Sequence, residues 1–321
     1  MLQYTLRRFG QMVIVLFVVS VLVFTVTRFT GDPVMLIVSQ DASDSQIAAA
    51  RAELGLDRPL YQQYGVFVQN ALHGNLGNSF VFRRPAVELI MERMPATLEM
   101  TTFAMFLSAI LAIPLGVFAG AYHRNILSKG IMSSSLLGIS LPSFWLGIML
   151  ILIFSVQAHV LPSSGRGSTV DILGVRLSFV TWDGIRHIIL PAVTLAIGQM
   201  AMLIRLTRAG IMEVMRQDYI KFAQAKGVPQ RSVLFGHALK NALIPVITVF
   251  GLQFGQMIAF ATITETIFAW PGMGKLLIDS IYRLDRPIIV AYLLMVAVLF
   301  VGINFLVDIL YGLIDPRIEL R

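Results

Sequence analysis

The feature that most constrains this chain is a set of six long stretches without a single Asp, Glu, Lys, Arg or His. The hydrocarbon core of a bilayer is about 30 Å thick, and an α-helix needs roughly 20 apolar residues to cross it. Each stretch has about that length or more. They are residues 9–27, 100–122, 130–158, 188–204, 241–264 and 287–307. The sequence therefore predicts an all-α polytopic membrane protein with six transmembrane helices.

Composition excludes an ordinary soluble domain. Of the 321 residues, 56% are hydrophobic and 13% are charged, whereas about a quarter of the residues are charged in an average soluble domain. The net charge of +7 comes from small basic groups between the apolar stretches rather than from one basic domain. The sequence has no cysteine, which excludes disulfides and Cys-ligated metals. We expect membrane lipid as the main environment and no nucleic-acid partner.

The short connections predict the orientation, because Lys and Arg accumulate on the cytoplasmic side of membrane proteins. One face of a six-span topology carries Arg7 and Arg8, the connection around Arg124, the basic connection 208–240 and the basic C-terminus. The arginines of residues 30–96 do not count, since loops of that length are translocated largely regardless of charge. Both termini are therefore predicted to be cytoplasmic.

Residues 30–96 are predicted to form a small folded extracytoplasmic subdomain. Ser43 and Gln46 fit a capping box, and Gly55 fits the C-terminal cap of the short helix that follows. Prolines favour the first turn of a helix, and two prolines of this region predict two further helices. These helices run from Pro59 to about Gly74 and from Pro85 to Arg93.

The chain is thereby divided into three parts. Residues 1–29 form a tail and the first span, whose uncharged stretch is longer than the apolar region of a secretory signal. Residues 30–96 form the extracytoplasmic subdomain, and residues 97–321 form a core with spans 2 to 6. In the second extracytoplasmic loop, apolar residues alternate with other residues after Gly174, which predicts a short hairpin.

Enzyme motifs are incomplete in this sequence. The segment from Gly272 to Lys275 superficially resembles a phosphate loop, but Ala269 takes the place of its first glycine. Leu276 replaces the hydroxyl residue that would hold magnesium. The five histidines are scattered over loops on both faces, so they predict neither a metal site nor a catalytic triad. We expect no catalytic, cofactor or metal site in this chain.

Charged residues at the edges of spans are functional candidates, because ionisable groups are costly inside a bilayer. Arg205 and Arg208 are three residues apart and share one helical face, so they could contact a partner helix or line a pathway. Snorkelling to the headgroups is the competing interpretation. Glu265 follows the fifth apolar stretch, where structural capping or pairing competes with ion coupling. All three are kept as pathway or interface candidates.

The strongest local signal is a basic connection between the fourth and fifth spans, residues 213–241, called the elbow from here on. Gly227 is placed to end a first short helix in a left-handed cap, and Pro229 is placed in the first turn of a second helix. The sequence therefore predicts two helices with a sharp bend. Apolar residues between the basic ones favour a docking surface over the competing interpretation, a solvated loop that only sets topology.

The elbow resembles the shared cytoplasmic motif of ABC importer permeases, E-A-A-x-x-x-G followed by I-x-L-P, with its Pro thirteen residues after the Gly. Gly227, Ala223 and Leu239 match the Gly, the second Ala and the Leu of that motif. The sequence departs from it at three positions, which are Lys221 for Glu, Phe222 for the first Ala and Lys240 for Pro.

The form found here is similar to the dipeptide, oligopeptide and nickel permeases, specifically to the first of their two homologous permeases. It reads A-x-A-K-G at residues 223–227 and H-A-L-x-N-A at residues 237–242. Further similarities lie along nearly the whole chain. They include T-G-D-P at residues 30–33, L-G-L-D-R-P-L at residues 54–60 and W-P-G at residues 270–272.

This resemblance implies a permease subunit of an ATP-driven, binding-protein-dependent importer in the bacterial inner membrane. The implied solutes are dipeptides, oligopeptides, glutathione, nickel or opine-like compounds. The implied partners are a second homologous permease, two ABC ATPase subunits that bind ATP and Mg²⁺, and a periplasmic or lipid-anchored solute-binding protein. The chain itself would be a transport subunit without an ATPase site.

The motif positions also imply which residues contact the ATPases. These ATPase-coupling candidates are Lys221, Phe222, Ala223, Lys226, Gly227, Arg231, His237 and Asn241. Two other classes compete with a permease: a secondary transporter, which would hold its own coupling-ion site, and an intramembrane enzyme. The span interiors hold almost no carboxylates and no nucleophile with a base, which disfavours both.

Overall fold

Helices dominate the computed structural model, which describes residues 2–29, 43–53 and 56–314. The helices are α1 Leu2–Phe29, α2 Asp44–Glu53, α3 Leu60–Leu72, α4 Ala86–Ala121, α5 Ile126–Ser140, α6 Ser143–Leu150, α7 Trp182–Val214, α8 Asp218–Ala225, α9 Gln230–Ser232, α10 Leu239–Ile267, α11 Met273–Tyr282 and α12 Arg286–Ile314. The strands are β1 Val170–Ile172 and β2 Val175–Leu177. π-Helical turns extend α6 over Ile151–Gln157 and join α9 to α10 over Val233–Ala238, so residues 230–267 form one uninterrupted helix.

The six-span prediction is confirmed for the described part of the chain. Five helices there are long and apolar enough to cross a bilayer, and the bent pair of helices makes six when it is counted as one span. The five single spans are Gln3–Thr27, Ala86–Ala121, Trp182–Val214, Pro245–Ile267 and Arg286–Ile309.

The third span differs from the single helix predicted over residues 130–158. It is broken between α5 and α6, whose axes are bent by 105°. The cause is Pro142, because a proline moves the residue before it from the helical to the extended region. Leu141 accordingly has a ψ of 127°. Helix α5 ends at Ser140, and α6 begins at Ser143 directly after the proline.

The helix predicted from Pro85 to Arg93 begins as expected but does not end there. Helix α4 continues through Pro95 to Ala121, so the third outer helix and the second span are one element. A proline inside a helix removes one backbone hydrogen bond, which a packed membrane helix tolerates. The predicted boundary at residue 96 therefore falls inside a helix.

Three local predictions for the loops after the first and third spans are confirmed. The Ser43 N–H donates to Gln46 Oε1 at 3.0 Å, as in a capping box. Gly55 lies outside the described residues. Helix α3 begins after Pro59, and Gly74 follows it with a φ of 73°. Strands β1 and β2 pair antiparallel in the predicted hairpin.

Close contacts at small residues hold the spans together. Gly116 and Gly120 form a G-x-x-x-G face on α4, where an added Cβ would lie 2.6 Å from Thr207 Cβ and 2.8 Å from Ile211 Cβ on α7. Helix α10 presents the same spacing at residues 251–255 against α12. In lipid, van der Waals packing at such faces drives helix association. Helices α4 and α7 thus form the centre of the bundle.

Helix α1 packs at the edge of the bundle, on α12. Phe9 meets Phe305 with ring centroids 6.3 Å apart, and Arg8 forms an ion pair with Asp308 at 3.1 Å. Helix α7 runs from one end of the molecule, called the hairpin end, to the other, called the elbow end. The hairpin end holds β1, β2, α3 and α11, and the elbow end holds α8 and α9.

Candidate functional sites: a polar cavity and a basic elbow

Glu99 fixes the hairpin loop onto α4. It is 6% exposed and accepts hydrogen bonds from Arg166 Nε at 2.9 Å and Nη2 at 2.5 Å. The same carboxylate accepts from the backbone N–H groups of Ser178 at 2.5 Å and Phe179 at 2.8 Å. The Arg166 guanidinium lies 5.9 Å from the centroid of the Trp270 ring. A buried carboxylate needs such partners, so the loop and the helix are tied together.

Glu265 is fully buried and caps α11. Its Oε1 accepts from Thr97 Oγ1 at 2.5 Å, and its Oε2 accepts from the Lys275 N–H at 2.8 Å. The Thr97 hydroxyl in turn accepts from the Met273 N–H at 2.9 Å. A carboxylate at a helix N-terminus satisfies free N–H groups and the helix dipole. Of the interpretations of Glu265, its position supports structural capping inside the chain.

Asp285 is a third buried carboxylate of the hairpin end. It accepts from the Ser79 hydroxyl, from the Phe80 N–H at 3.1 Å and from the Val81 N–H at 3.4 Å. These contacts join the segment before α4 to the turn between α11 and α12. The hairpin end is therefore a polar framework whose charges are satisfied from within the chain.

A cavity of about 390 Å³ opens between the bent pair α5–α6, α7 and α10. Its wall on α7 repeats every three or four residues, so one face of that helix lines it. The lining of the whole cavity mixes polar residues with apolar ones such as Leu146, Met202 and Phe260. The polar lining residues are Ser143, Thr194, Gln199, Arg205, Gln253 and Gln256. Polar side chains in the middle of spans are costly in lipid, so this cavity is a candidate functional site.

Arg205 and Arg208 separate in the structure. Arg205 lines the cavity, whereas Arg208 does not belong to its lining. The polar contact of the Arg205 guanidinium is a weak one, from Nη2 to Met202 Sδ at 3.9 Å. Arg208 Nε is buried without a hydrogen-bond partner among the described residues. Although the two arginines share one face of α7, Arg205 lines the cavity and Arg208 packs outside it.

The elbow has the predicted bend. Helix α8 ends at Ala225, and Gly227 follows with a φ of 76°, in the left-handed region that favours glycine. Pro229 precedes the next helix, which begins at Gln230. The Val228 N–H donates back to the Ala223 carbonyl at 3.2 Å, as in a helix cap.

The elbow is two-sided. Ile220, Val233 and Leu234 are buried against Ile211 and Val117 at the ends of α7 and α4. These three apolar residues of the elbow face inward, so they do not contribute to a docking surface. Phe222 remains 62% exposed. The opposite side is therefore left to basic and aromatic residues.

Most of the ATPase-coupling candidates lie on that open side. Lys221 pairs with Asp218 at 2.8 Å, and Lys226 Nζ lies 4.6 Å from the centroid of the Phe222 ring. Asn241 Nδ2 donates to Tyr219 Oη at 2.7 Å. Lys221, Phe222, Lys226, Gly227, Arg231, His237 and Asn241 are exposed, and Ala223 is half-buried.

Several residues of these sites escaped the sequence analysis. Three of them are glutamines inside the apolar stretches, where amide side chains are unusual; they are Gln199, Gln253 and Gln256. They were missed because only ionisable residues were taken as candidates. Arg166 and Asp285 carried no signal, because their partners are distant in sequence. Among the described residues, no group of His, Asp and Glu could hold a metal ion.

Comparison with known proteins identifies the family. Residues 112–320 match the binding-protein-dependent transport system inner membrane component. Residues 1–101 match the N-terminal part of the binding-protein-dependent transport system membrane component. The chain belongs to this family. It is an inner-membrane permease subunit of a binding-protein-dependent importer, which confirms the predicted class and location.

Relatives match nearly the whole chain. The di/tripeptide transport system permease protein DppB of Pseudomonas aeruginosa (strain UCBPP-PA14) is 42% identical over 99% of both chains. The dipeptide transport system permease protein DppB of Escherichia coli (strain K12) is 39% identical, again over 99% of both. A putative peptide transport system permease of Brucella abortus (strain 2308) is 40% identical over 98% of both.

Solved structures support the fold. A chain of the MetNI methionine ABC transporter in an inward-facing conformation matches with a TM-score of 0.56 and 16% identity, covering 71% of this chain and 96% of that one. A second crystal form of the same transporter gives a TM-score of 0.57. The shared fold is that of an ABC transporter membrane subunit.

Proposed function

We propose that this permease imports short peptides in an ATP-driven complex and provides one wall of their pathway. The polar cavity between the bent pair, α7 and α10 carries the proposal, because amides and an arginine at span depth suit a hydrated, polar solute. The cavity is open on one side, as expected for half of a pathway completed by a homologous permease. The peptide class follows from the names of the DppB relatives.

We further propose that the elbow binds one of the two ABC ATPases of the complex. Its inner side is anchored on α4 and α7, and its outer side presents Phe222, Lys226 and Arg231 to a partner. An exposed aromatic side chain among basic ones has the composition of an interface anchor. The start of α1 and the end of α12 lie on the elbow side. This arrangement requires a cytoplasmic elbow and an extracytoplasmic hairpin end that meets the solute-binding protein.

ATP and Mg²⁺ are assigned to the ATPases and not to this chain. The segment that superficially resembles a phosphate loop forms the start of α11, whose N-terminus already binds the Glu265 carboxylate. A phosphate would compete with that carboxylate for the same N–H groups. The purified permease alone is therefore expected to hydrolyse no ATP.

Reconstitution tests the proposal. Proteoliposomes with both permeases, both ATPases and the solute-binding protein should accumulate tritiated alanyl-alanine in an ATP-dependent manner. Vesicles that lack this chain serve as the control. Equal accumulation without it, or none with the complete complex, would contradict the proposed function.

Topology is tested by labelling single cysteines, since the chain has none of its own. Thr169 beside β1 and Gln230 in the elbow are both exposed. Thr169→Cys should react with a membrane-impermeant maleimide in spheroplasts, and Gln230→Cys should react after lysis. Labelling of Gln230→Cys in intact spheroplasts would reverse the proposed orientation.

A further inference from the structure

We infer that Arg205 recognises the C-terminal carboxylate of the peptide inside the pathway cavity. This inference rests on the proposed function and adds a specific binding site to it. Arg205 is a half-buried cation in the cavity wall, and no carboxylate of the described residues forms an ion pair with it. Its polar contact is with the Met202 sulfur, a weak acceptor. The guanidinium is thus left with most of its five N–H donors for a ligand.

The contrast with paired charges elsewhere in the chain strengthens the inference. Glu99 of the hairpin end, as a buried charge, receives an ion pair and backbone hydrogen bonds from the chain itself. Arg8 at the edge of the bundle pairs with Asp308. Burying a charge without a partner is unfavourable, so Arg205 calls for an anionic partner that enters the cavity.

A carboxylate suits this position. The planar guanidinium binds a carboxylate through two parallel hydrogen bonds, which fixes its orientation as well as its charge. Gln199, Gln253 and Gln256 add amide donors and acceptors to the same wall. An amide side chain offers both a donor and an acceptor, which matches a peptide group. The lining therefore fits a short peptide with a free C-terminus.

The cavity also has suitable dimensions. Its volume of about 390 Å³ lies within the range of about 300–1,000 Å³ that is typical of small-molecule sites. Apolar side chains from Leu146, Met202 and Phe260 cover the remaining wall. They leave room for different peptide side chains without specific contacts, whereas the carboxylate is common to all peptides.

The transport test compares Arg205→Gln and Arg205→Lys with the wild type in the complete complex. Arg124→Gln, the same change on an exposed connection outside the cavity, is the matched control. Arg205→Gln should lower alanyl-alanine uptake about tenfold, the effect of losing one charge-assisted contact. Hydrolysis of ATP stimulated by loaded binding protein should stay within about twofold of the wild type. Arg205→Lys should lose less uptake, because it keeps the charge.

The binding test removes the solute-binding protein, which could itself require the carboxylate. Saturation-transfer NMR on permeases and ATPases in nanodiscs should detect alanyl-alanine at an affinity about tenfold higher than that of its C-terminal amide. In the Arg205→Gln complex, the two probes should bind alike. Equal binding of both probes to the wild type would overturn the inference.

Other outcomes are equally decisive. Wild-type uptake in Arg205→Gln would overturn the inference and leave the proposed function intact. Parallel loss of uptake, stimulated hydrolysis and the second permease would show that Arg205 pairs with a carboxylate of that permease instead. A wild-type complex that takes up no peptide contradicts the proposed function itself.

Discussion

The two ends of this permease treat their charged groups in opposite ways. At the hairpin end, Glu99, Glu265 and Asp285 are buried, and each is bound by residues from another part of the chain. At the elbow end, Lys221 and Lys226 are exposed and contact nearby residues of the same surface, Asp218 and Phe222. The buried charges of the first end are satisfied within the chain, whereas the charges of the second lie on an exposed surface.

Physical chemistry gives this contrast different consequences for stability and function. Removing one partner of a buried pair leaves an uncompensated charge, which is strongly destabilising. An exposed pair contributes little, because water and salt screen it. Mutations at the hairpin end should therefore lower the amount of folded protein, and mutations at the elbow should lower transport at normal abundance.

The largest effect is expected from Glu99→Ala. It leaves the Arg166 guanidinium and the Ser178 N–H without their acceptor, so the free energy of unfolding should fall by about 3–5 kcal/mol. Thermal unfolding in detergent and the abundance in membranes would measure the loss.

Glu88→Ala is the matched control for that prediction. It removes a glutamate from the same helix, but Glu88 pairs with Arg84 at an exposed site. Its unfolding should match the wild type. A Glu99→Ala protein as stable as Glu88→Ala would show that the hairpin end does not depend on its buried charges.

A smaller effect is expected from Gly227→Ala. The left-handed conformation costs a residue with a Cβ about 1–2 kcal/mol, so the elbow should change shape and stimulated ATP hydrolysis should fall. Gly236→Ala is the matched control, because it adds the same methyl group at a glycine whose backbone is not left-handed. An added Cβ meets no atom within 4 Å at either glycine, but Gly236 lies in a helix without a positive φ.

The Gly236→Ala protein should couple normally and gain about 0.5–1 kcal/mol of stability from the lower backbone entropy of its unfolded chain. Both variants are measured for peptide uptake at equal membrane abundance. Equal coupling in the two proteins would contradict a role for the left-handed bend.

Phe222→Ser should leave stability nearly unchanged. Phe222 is 62% exposed, and exposed substitutions usually stay within about 0.5 kcal/mol of the wild type. Co-purification of the ATPases should nevertheless decrease, since an exposed aromatic residue is a typical anchor of an interface. A stable Phe222→Ser permease that retains its ATPases and couples normally would remove the elbow as their docking surface.

The smallest effect is expected from Asp218→Asn. The hydrogen bond from Lys221 lowers the pKa of the Asp218 carboxyl, with the Lys221 charge adding to it. Its stabilising contribution is present above the pKa of the unfolded chain and is lost as the pH falls through the lower pKa of the folded state. Because the pair is exposed, unfolding curves of the variant and the wild type should coincide across this pH range. A clear separation would mean that the elbow depends on this pair.

Local chemistry made the elbow predictable from the sequence, and distance in the chain hid the hairpin end. Gly227 and Pro229 determine a cap and a helix start within a few residues of themselves. Asp285 and Ser79 are 206 positions apart, and nothing in either neighbourhood indicates the other. The break at Pro142 was visible as a proline, but its angle depends on the packing of both halves. Cavity residues on α7 and α10 become neighbours only through tertiary structure.

The uninterrupted helix over residues 230–267 has a mechanical consequence. Gln230 in the elbow and Gln253 in the cavity wall are about 35 Å apart along it, at 1.5 Å per residue. Because both residues belong to one helix, a partner that displaces the elbow also displaces the cavity wall. A displacement of the elbow therefore needs no relay of separate contacts to reach the cavity wall.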